Sequence, residues 1–203
     1  MIGLAETRSG WAVCFEDEVW WSRVAAPGCA AWTPAEAPLR LVAQAVPNGE
    51  PKALACYGLL VRVQSAASGA ASAGPTDEVW LRFVDGRPVS AITTQFLSWG
   101  ATQAAARGLT TLVWVWDNAS WHLSRAVRTA IRTHNQAAHR TGGVKIVPCW
   151  LPIKSPWLNP IEPKWTHGKR RVVEPARLLT AEELESRVYA ALDALPAAHL
   201  TMP

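Results

Sequence analysis

Three acidic residues of this chain fall where chemistry could be done. Asp17 lies inside an apolar and aromatic run, FEDEVWW. Asp117 closes the hydrophobic run TTLVWVWDN, residues 110 to 118. Glu162 sits in SPWLNPIEPKW, residues 155 to 165, where Pro156, Pro160 and Pro163 each fix φ and remove a backbone donor. Carboxylates gathered at one sheet edge repel one another unless a cation neutralises them. An oxygen-only donor set suits Mg²⁺ or Mn²⁺, which keep waters and bind phosphates beside one or two carboxylates. Two such ions about 3.5–4 Å apart activate a nucleophile and stabilise the leaving oxygen in phosphoryl transfer. Taken singly, each acid also reads as ordinary charge at a strand end, so the elements that carry them matter.

Residues 11 to 24, WAVCFEDEVWWSRV, have a strand-like mix of β-branched and aromatic residues and run into a turn at AAPG. ALACYGLLVRV, residues 53 to 63, fits a buried strand. QSAASGAASAGPTDE, residues 64 to 78, reads as a flexible loop inside the domain, because strand character resumes at VWLRFVDG. The spacing of Ile92, Phe96, Leu97 and Ala101 predicts a helix stopped by Gly108. TTLVWVWDN has no alternation, which suits a central strand covered on both faces. Its acid lies at the C-terminal end, where open α/β sheets place ligands. Leu123, Ala126, Val127, Ala130 and Ile131 define one face of a helix over 122 to 140, ended by Gly142 and Gly143.

VKIVPCWLP is a further short strand, and Glu162 follows it at a helix start. Two registers are open there: Asn159 caps with Pro160 first inside, or Glu162 caps with Pro163 first inside. LTAEELESRVYAALDALP carries a capping box, Thr180 with Glu183, and an apolar face of Leu184, Val188, Ala191, Leu192 and Leu195. The order of elements describes an α/β domain with a mixed sheet, its early strands antiparallel and its later ones joined by helical crossovers. Residues 1–203 are expected to form one domain, with a core over about 10–172 and a helical segment over 173–203.

Composition narrows the function classes. A hydrophobic share of 49% with 18% charged residues supports a folded core and excludes wholesale disorder. The net charge of +4 permits a polyanionic partner without demanding one, and 15 Arg against 5 Lys would favour bidentate phosphate contacts. Cys14, Cys29, Cys56 and Cys149 have no ligand spacing and read as thiols of a reducing compartment. No apolar run approaches a membrane span or signal core, so a cytoplasmic, nucleoid-associated location is expected.

FEDEVWW, WDNASWH and SPWLNPIEPKW, in that order, resemble the catalytic core of mariner-type DDE transposases, in the bacterial insertion-sequence branch. The resemblance covers residues 10 to about 172. It implies a ribonuclease H-like fold, a mixed sheet flanked by helices, with Asp17, Asp117 and Glu162 as the catalytic and metal-binding triad. It implies Mg²⁺ or Mn²⁺ as cofactor, with two ions. The implied reaction is phosphodiester hydrolysis at transposon ends, followed by strand transfer of the freed 3′-hydroxyl into target DNA. Partners implied are DNA and a homodimer or larger assembly on it. The helix-turn-helix region of such enzymes is absent from this sequence, so an upstream frame or separate subunit is expected to supply it. A ribonuclease H-like module without catalysis, or a metal-dependent nuclease that cuts without joining, remain alternatives.

Within Glu16-Asp17-Glu18 the ligand is ambiguous from the motif; strand alternation puts Glu16 and Glu18 on the opposite face and favours Asp17. Asn118 could orient Asp117 or a phosphate, or simply cap a turn, and His122 could meet DNA or a carboxylate. Lys164, Lys169, Arg170 and Arg171 are candidate phosphate contacts. Arg125, Arg128 and Arg132 read as a solvated helix stripe. Trp157 and Trp165 are expected to pack the proline-rich segment rather than stack on bases.

Overall fold

The computed structural model describes residues 2–5, 7–24, 45–63, 76–172, 174 and 177–202. The AAPG turn, Cys29 and loop residues 64–75 lie outside them. The elements are α1 (Ile2–Ala5), β1 (Trp11–Ser22), β2 (Ala53–Val63), β3 (Thr76–Asp85), α2 (Ser90–Ala106), β4 (Thr111–Trp116), α3 (Arg125–Thr141), β5 (Lys145–Trp150), α4 (Glu162–Val172), α5 (Ala181–Ala191) and β6 (Leu200–Thr201). A 3-10 turn over Pro156–Leu158 precedes α4.

The strands form one sheet in the order β5-β4-β1-β2-β3-β6. β1, β2 and β3 are antiparallel neighbours, while β4 and β5 run parallel to β1. The antiparallel start and the helical crossovers agree with the sequence reading. Alternation divides each central strand between two cores. Cys14, Leu59, Leu112, Trp114 and Trp116 face α2 and α3, packing with Ile92, Phe96, Val127 and Ile131. Val13, Phe15, Leu60, Val113 and Val115 face α4 and α5, packing with Ile161, Trp165, Leu184 and Val188. Covered on both sides, β4 is buried at every position.

Three boundaries differ from expectation, and one strand is added. β3 begins at Thr76, so Thr76, Asp77 and Glu78 belong to a strand rather than a loop. Asp77 is drawn into the ladder by a bidentate contact from Arg62 on β2, at 2.8 and 3.0 Å. α3 begins at Arg125 rather than 122, because the Ser124 side chain accepts from the Val127 amide at 3.2 Å and caps the helix there. His122 therefore sits in the preceding turn. α5 starts on its predicted capping box but stops at Ala191, and Asp193 turns the chain with φ 50. Leu195 is 78% exposed instead of lining the helix face. The segment beyond then returns as β6, pairing Leu200 and Thr201 with Val84 and Asp85. No helix among the described residues is long and apolar enough to cross a membrane.

Candidate active site

The parallel register of β1 and β4 brings the first two acids together. Phe15 lies opposite Val115, so extending the ladder by two residues sets Asp17 beside Asp117. Glu162 is the first residue of α4. Neither sequence register for its helix start holds as written, since the amides of Lys164 and Trp165 both bond back to the carbonyl of Ile161, which is the cap. Pro163 thus falls in the first turn, where amides have no intrahelical acceptor and a missing N–H is harmless. Asn159 is buried, and its side chain bridges elements: Nδ2 donates to the Glu16 carbonyl at 2.9 Å, while Oδ1 accepts from the Ile161 amide at 3.4 Å. The loop carrying Glu162 is thereby tied to β1 beside Asp17.

Trp165 makes the second tie. Its Nε1 donates to Asp17 Oδ2 at 2.8 Å, and its ring packs edge-on against Trp21 with centroids 6.2 Å apart. Trp165 packs as expected, whereas Trp157 does not: it is 75% exposed on the 3-10 turn. Burial pushes the Asp17 carboxyl up to about 7. The Trp165 bond works against that rise, while the charges of Glu162, Glu18 and Asp117 add to it. Among the described residues, no Lys, Arg or His forms an ion pair with Asp17 or Glu162. Uncompensated negative charge in an all-oxygen donor set fits a hard divalent cation.

The raised carboxyl has a stability consequence whose sign is fixed. The folded state holds the Asp17 proton more tightly than the unfolded chain, so stability falls as pH rises from about 4 through about 7. Asp17→Asn removes that loss while keeping an oxygen for Trp165. In metal-free thermal melts the variant should exceed the parent chain little at pH 4 and by several degrees at pH 8. A variant that melts lower at pH 8 would contradict this.

Alternation holds for the neighbours of Asp17: Glu16 and Glu18 point to the α3 side and meet the turn before that helix. His122 is 1% exposed, with Nδ1 2.8 Å from Asp117 Oδ1 and Nε2 3.1 Å from Glu18 Oε1 and 3.3 Å from Glu16 Oε2. Trp121 Nε1 also donates to Glu18 Oε1 at 2.7 Å, and the Trp116 ring stacks on His122 at 4.8 Å and 12°. Of its two expected partners, DNA or a carboxylate, His122 meets carboxylates and is closed to DNA. Burial opposes its charge, but Glu16, Asp117 and Glu18 outweigh it and push the imidazole up to about 11. Burial together with Glu18 holds Glu16 well above the usual carboxylate range. The His122 bond keeps Asp117 below that range against partial burial, with help from the Ala119 amide at 2.8 Å.

Glu16, Glu18 and His122 each place a ligand atom within 4.8 Å of the others, a spacing a metal could use. With a carboxylate oxygen against each ring nitrogen, however, His122 donates at both and has no lone pair to offer. We therefore read this group as a closed ion cluster. The sequence singled out His122 but not its link to Glu16 and Glu18.

The basic candidates separate by helical angle. At 100° per residue, Lys169 and Arg170 lie within one quadrant of Glu162 on α4, whereas Lys164 and Arg171 project from the far side. Lys164 and Arg171 line a cavity with Val79, Leu192 and Asp193 instead. Asn118 is held by structure, its Nδ2 donating to the Leu151 carbonyl at 2.7 Å and tying the end of β4 to the loop that leads to Glu162.

Residues 75–185, just over half of the chain, match the model of a family described as DDE superfamily endonuclease. That span contains Asp117 and Glu162 but not Asp17. Among solved structures, the Mos1 transposase paired-end complex with left transposon end is similar at 19% identity and a TM-score of 0.58, covering 91% of this chain and 48% of that one. The Mos1 mariner paired end complex with Mn is similar at 18% identity and a TM-score of 0.57, over the same 91% and 48%. The Mos1 strand transfer complex is similar at 18% identity and a TM-score of 0.55. The chain thus spans about half the length of these structures, and the likeness shows a shared ribonuclease H-like fold. No protein of curated function matches the sequence.

Proposed function

We propose a reaction from one premise: the chain belongs to the DDE superfamily of endonucleases. It is the catalytic domain of a mariner-type transposase of the bacterial insertion-sequence branch. Its metal-binding acids are Asp17, Asp117 and Glu162. What supports this reading is that Glu162, at the start of α4, and Asp117, just after β4, lie near enough to Asp17 on β1 for their charges to raise its carboxyl, with no cationic partner on Asp17 or Glu162 among the described residues. Bound Mg²⁺ or Mn²⁺, taken as two ions, would supply Lewis acidity and lower the pKa of water at the site.

The chain's own residues contribute positioning. Trp165 and Asn159 hold β1 and the Glu162 loop at one spacing, and Asn118 holds that loop to the end of β4. Lys169 and Arg170 contact phosphate on the Glu162 side of α4, whereas Lys164 and Arg171, the other two candidates, face away from that side. Water attacks a phosphodiester at the transposon end and the 3′-oxygen leaves. The freed 3′-hydroxyl then attacks a target phosphodiester, a P–O bond forming as another breaks, without a covalent bond to the protein. The working assembly is a homodimer or larger on DNA in the nucleoid, with end recognition supplied by helix-turn-helix modules. Residues 1–203 act as one domain, a reading supported by α5 burying Leu184 and Val188 in the same core as α4.

A joining assay tests the proposal. Labelled duplex carrying the gene's flanking terminal repeats, pre-cut to expose the 3′-hydroxyl, is mixed with supercoiled plasmid, the chain and Mn²⁺. Transfer of label into plasmid is expected. Nicking without transfer would identify a nuclease, and neither product would identify a binding module.

A further inference from the structure

Behind the candidate metal site lies a buried cluster that the reaction itself does not use. Glu16 is 1% exposed and, among the described residues, neither of its carboxylate oxygens has a hydrogen-bond partner; His122 Nε2 lies 3.3 Å from its Oε2. The same imidazole bonds Asp117 through its other nitrogen. Its plane is set by the stacked Trp116 ring below and by Trp121, edge-on at 5.8 Å, beside it. One side chain therefore joins Glu16 and Glu18 on one face of β1 to Asp117 at the end of β4, and its orientation is not free.

We propose that His122 is the positioning residue of the metal site: Nδ1 holds Asp117 in a single orientation, and Nε2 occupies Glu16 and Glu18 so that they do not compete for the cation. This rests on Asp117 being a metal ligand. The two functions sit on different nitrogens and can be separated. An Asn amide nitrogen stands the same number of bonds from the backbone as Nδ1, and a Gln amide nitrogen the same number as Nε2. His122→Asn keeps a donor for Asp117, and His122→Gln keeps one for Glu18.

The test is Mn²⁺ binding to the full chain by isothermal titration, with melting temperature as the control. His122→Gln should bind Mn²⁺ about 10–100-fold more weakly, the usual effect of losing a partner that orients a ligand. His122→Asn should keep the parent's affinity at the first site but show an additional Mn²⁺ binding event, because Glu16 and Glu18 are no longer occupied by Nε2. Both should melt lower, because each leaves Glu16 and Glu18 without their counter-charge. Adding Glu16→Gln to His122→Gln should recover melting temperature without recovering Mn²⁺ affinity, and this double variant also serves if His122→Gln folds poorly. Equal affinity in the Asn and Gln variants, or affinity that returns together with melting temperature, would overturn the positioning role. Loss of Mn²⁺ binding in Glu16→Gln but not in Glu162→Gln would place the metal in the buried cluster and overturn it too. A parent chain that takes up no Mn²⁺ would instead overturn the metal site on which the inference rests.

Discussion

Glu162→Gln should reduce Mg²⁺-dependent cleavage of DNA carrying the terminal repeats by at least about 10²-fold, with the fold intact. The two side chains are nearly isosteric, and what holds residue 162 in place is backbone: its amide bonds the Asn159 carbonyl at 3.2 Å, and the cap at Ile161 precedes it. No packing is lost. What is lost is one of the negative charges that a divalent cation would neutralise, and the carboxyl of Asp17 should fall from about 7 because one of the charges raising it has gone. Melting temperature should therefore stay level or rise slightly without metal. Plasmid nicking at several Mg²⁺ concentrations, with melts in parallel, checks both halves. Full activity in the variant would remove Glu162 from the triad.

Gly58→Ala should do the opposite, harming the fold and the site together through one methyl group. Gly58 pairs with Asp17 across β1 and β2, and the Trp165 ring packs against it. A Cβ there would collide with Trp165 Cη2 and stand 2.6 Å from Cζ2, with Ile161 Cδ1 at 3.1 Å. The indole has no flexible end to move, so α4 must lift or the ring must leave its pocket. Either movement breaks the bond to Asp17 and shifts Glu162, which begins the same helix. Overpacking of this kind costs about 1–3 kcal/mol. Metal-dependent cleavage should fall further than stability accounts for, because the acids separate while the chain still folds. Denaturant melts alongside cleavage rates decide it; an unchanged melt with unchanged activity would mean that the ring finds other room.

Local patterns carried much of this protein. The unalternating TTLVWVW suited a covered strand, and β4 is buried at every residue. Alternation in FEDEVWW separated Asp17 from Glu16 and Glu18, because successive strand side chains must point to opposite faces. Thr180 and Glu183 wrote their own helix start. Three motifs in order were enough to name the fold and the candidate acids. Each of these signals is read within about ten residues, where backbone sterics and short-range hydrogen bonding act.

What needed the tertiary structure are the contacts across the sheet. Nothing local in ALACYGLLVRV says that Gly58 makes room for a tryptophan over a hundred residues later. The extra strand at Leu200–Thr201 exists only because β3 offers an open edge for it. SPWLNPIEPKW reads locally as a proline-stiffened mount. Folded, its stiffness is anchored by Asn159 and Trp165 reaching β1, and Pro163 is tolerated because it falls in a first turn. His122 is the sharpest case. In sequence it is a histidine near a helix start, as open to DNA as to protein. Only when β1 and β4 pair does it come between Asp117 and the two glutamates, and burial there makes its charge a matter of three neighbours rather than of its own composition.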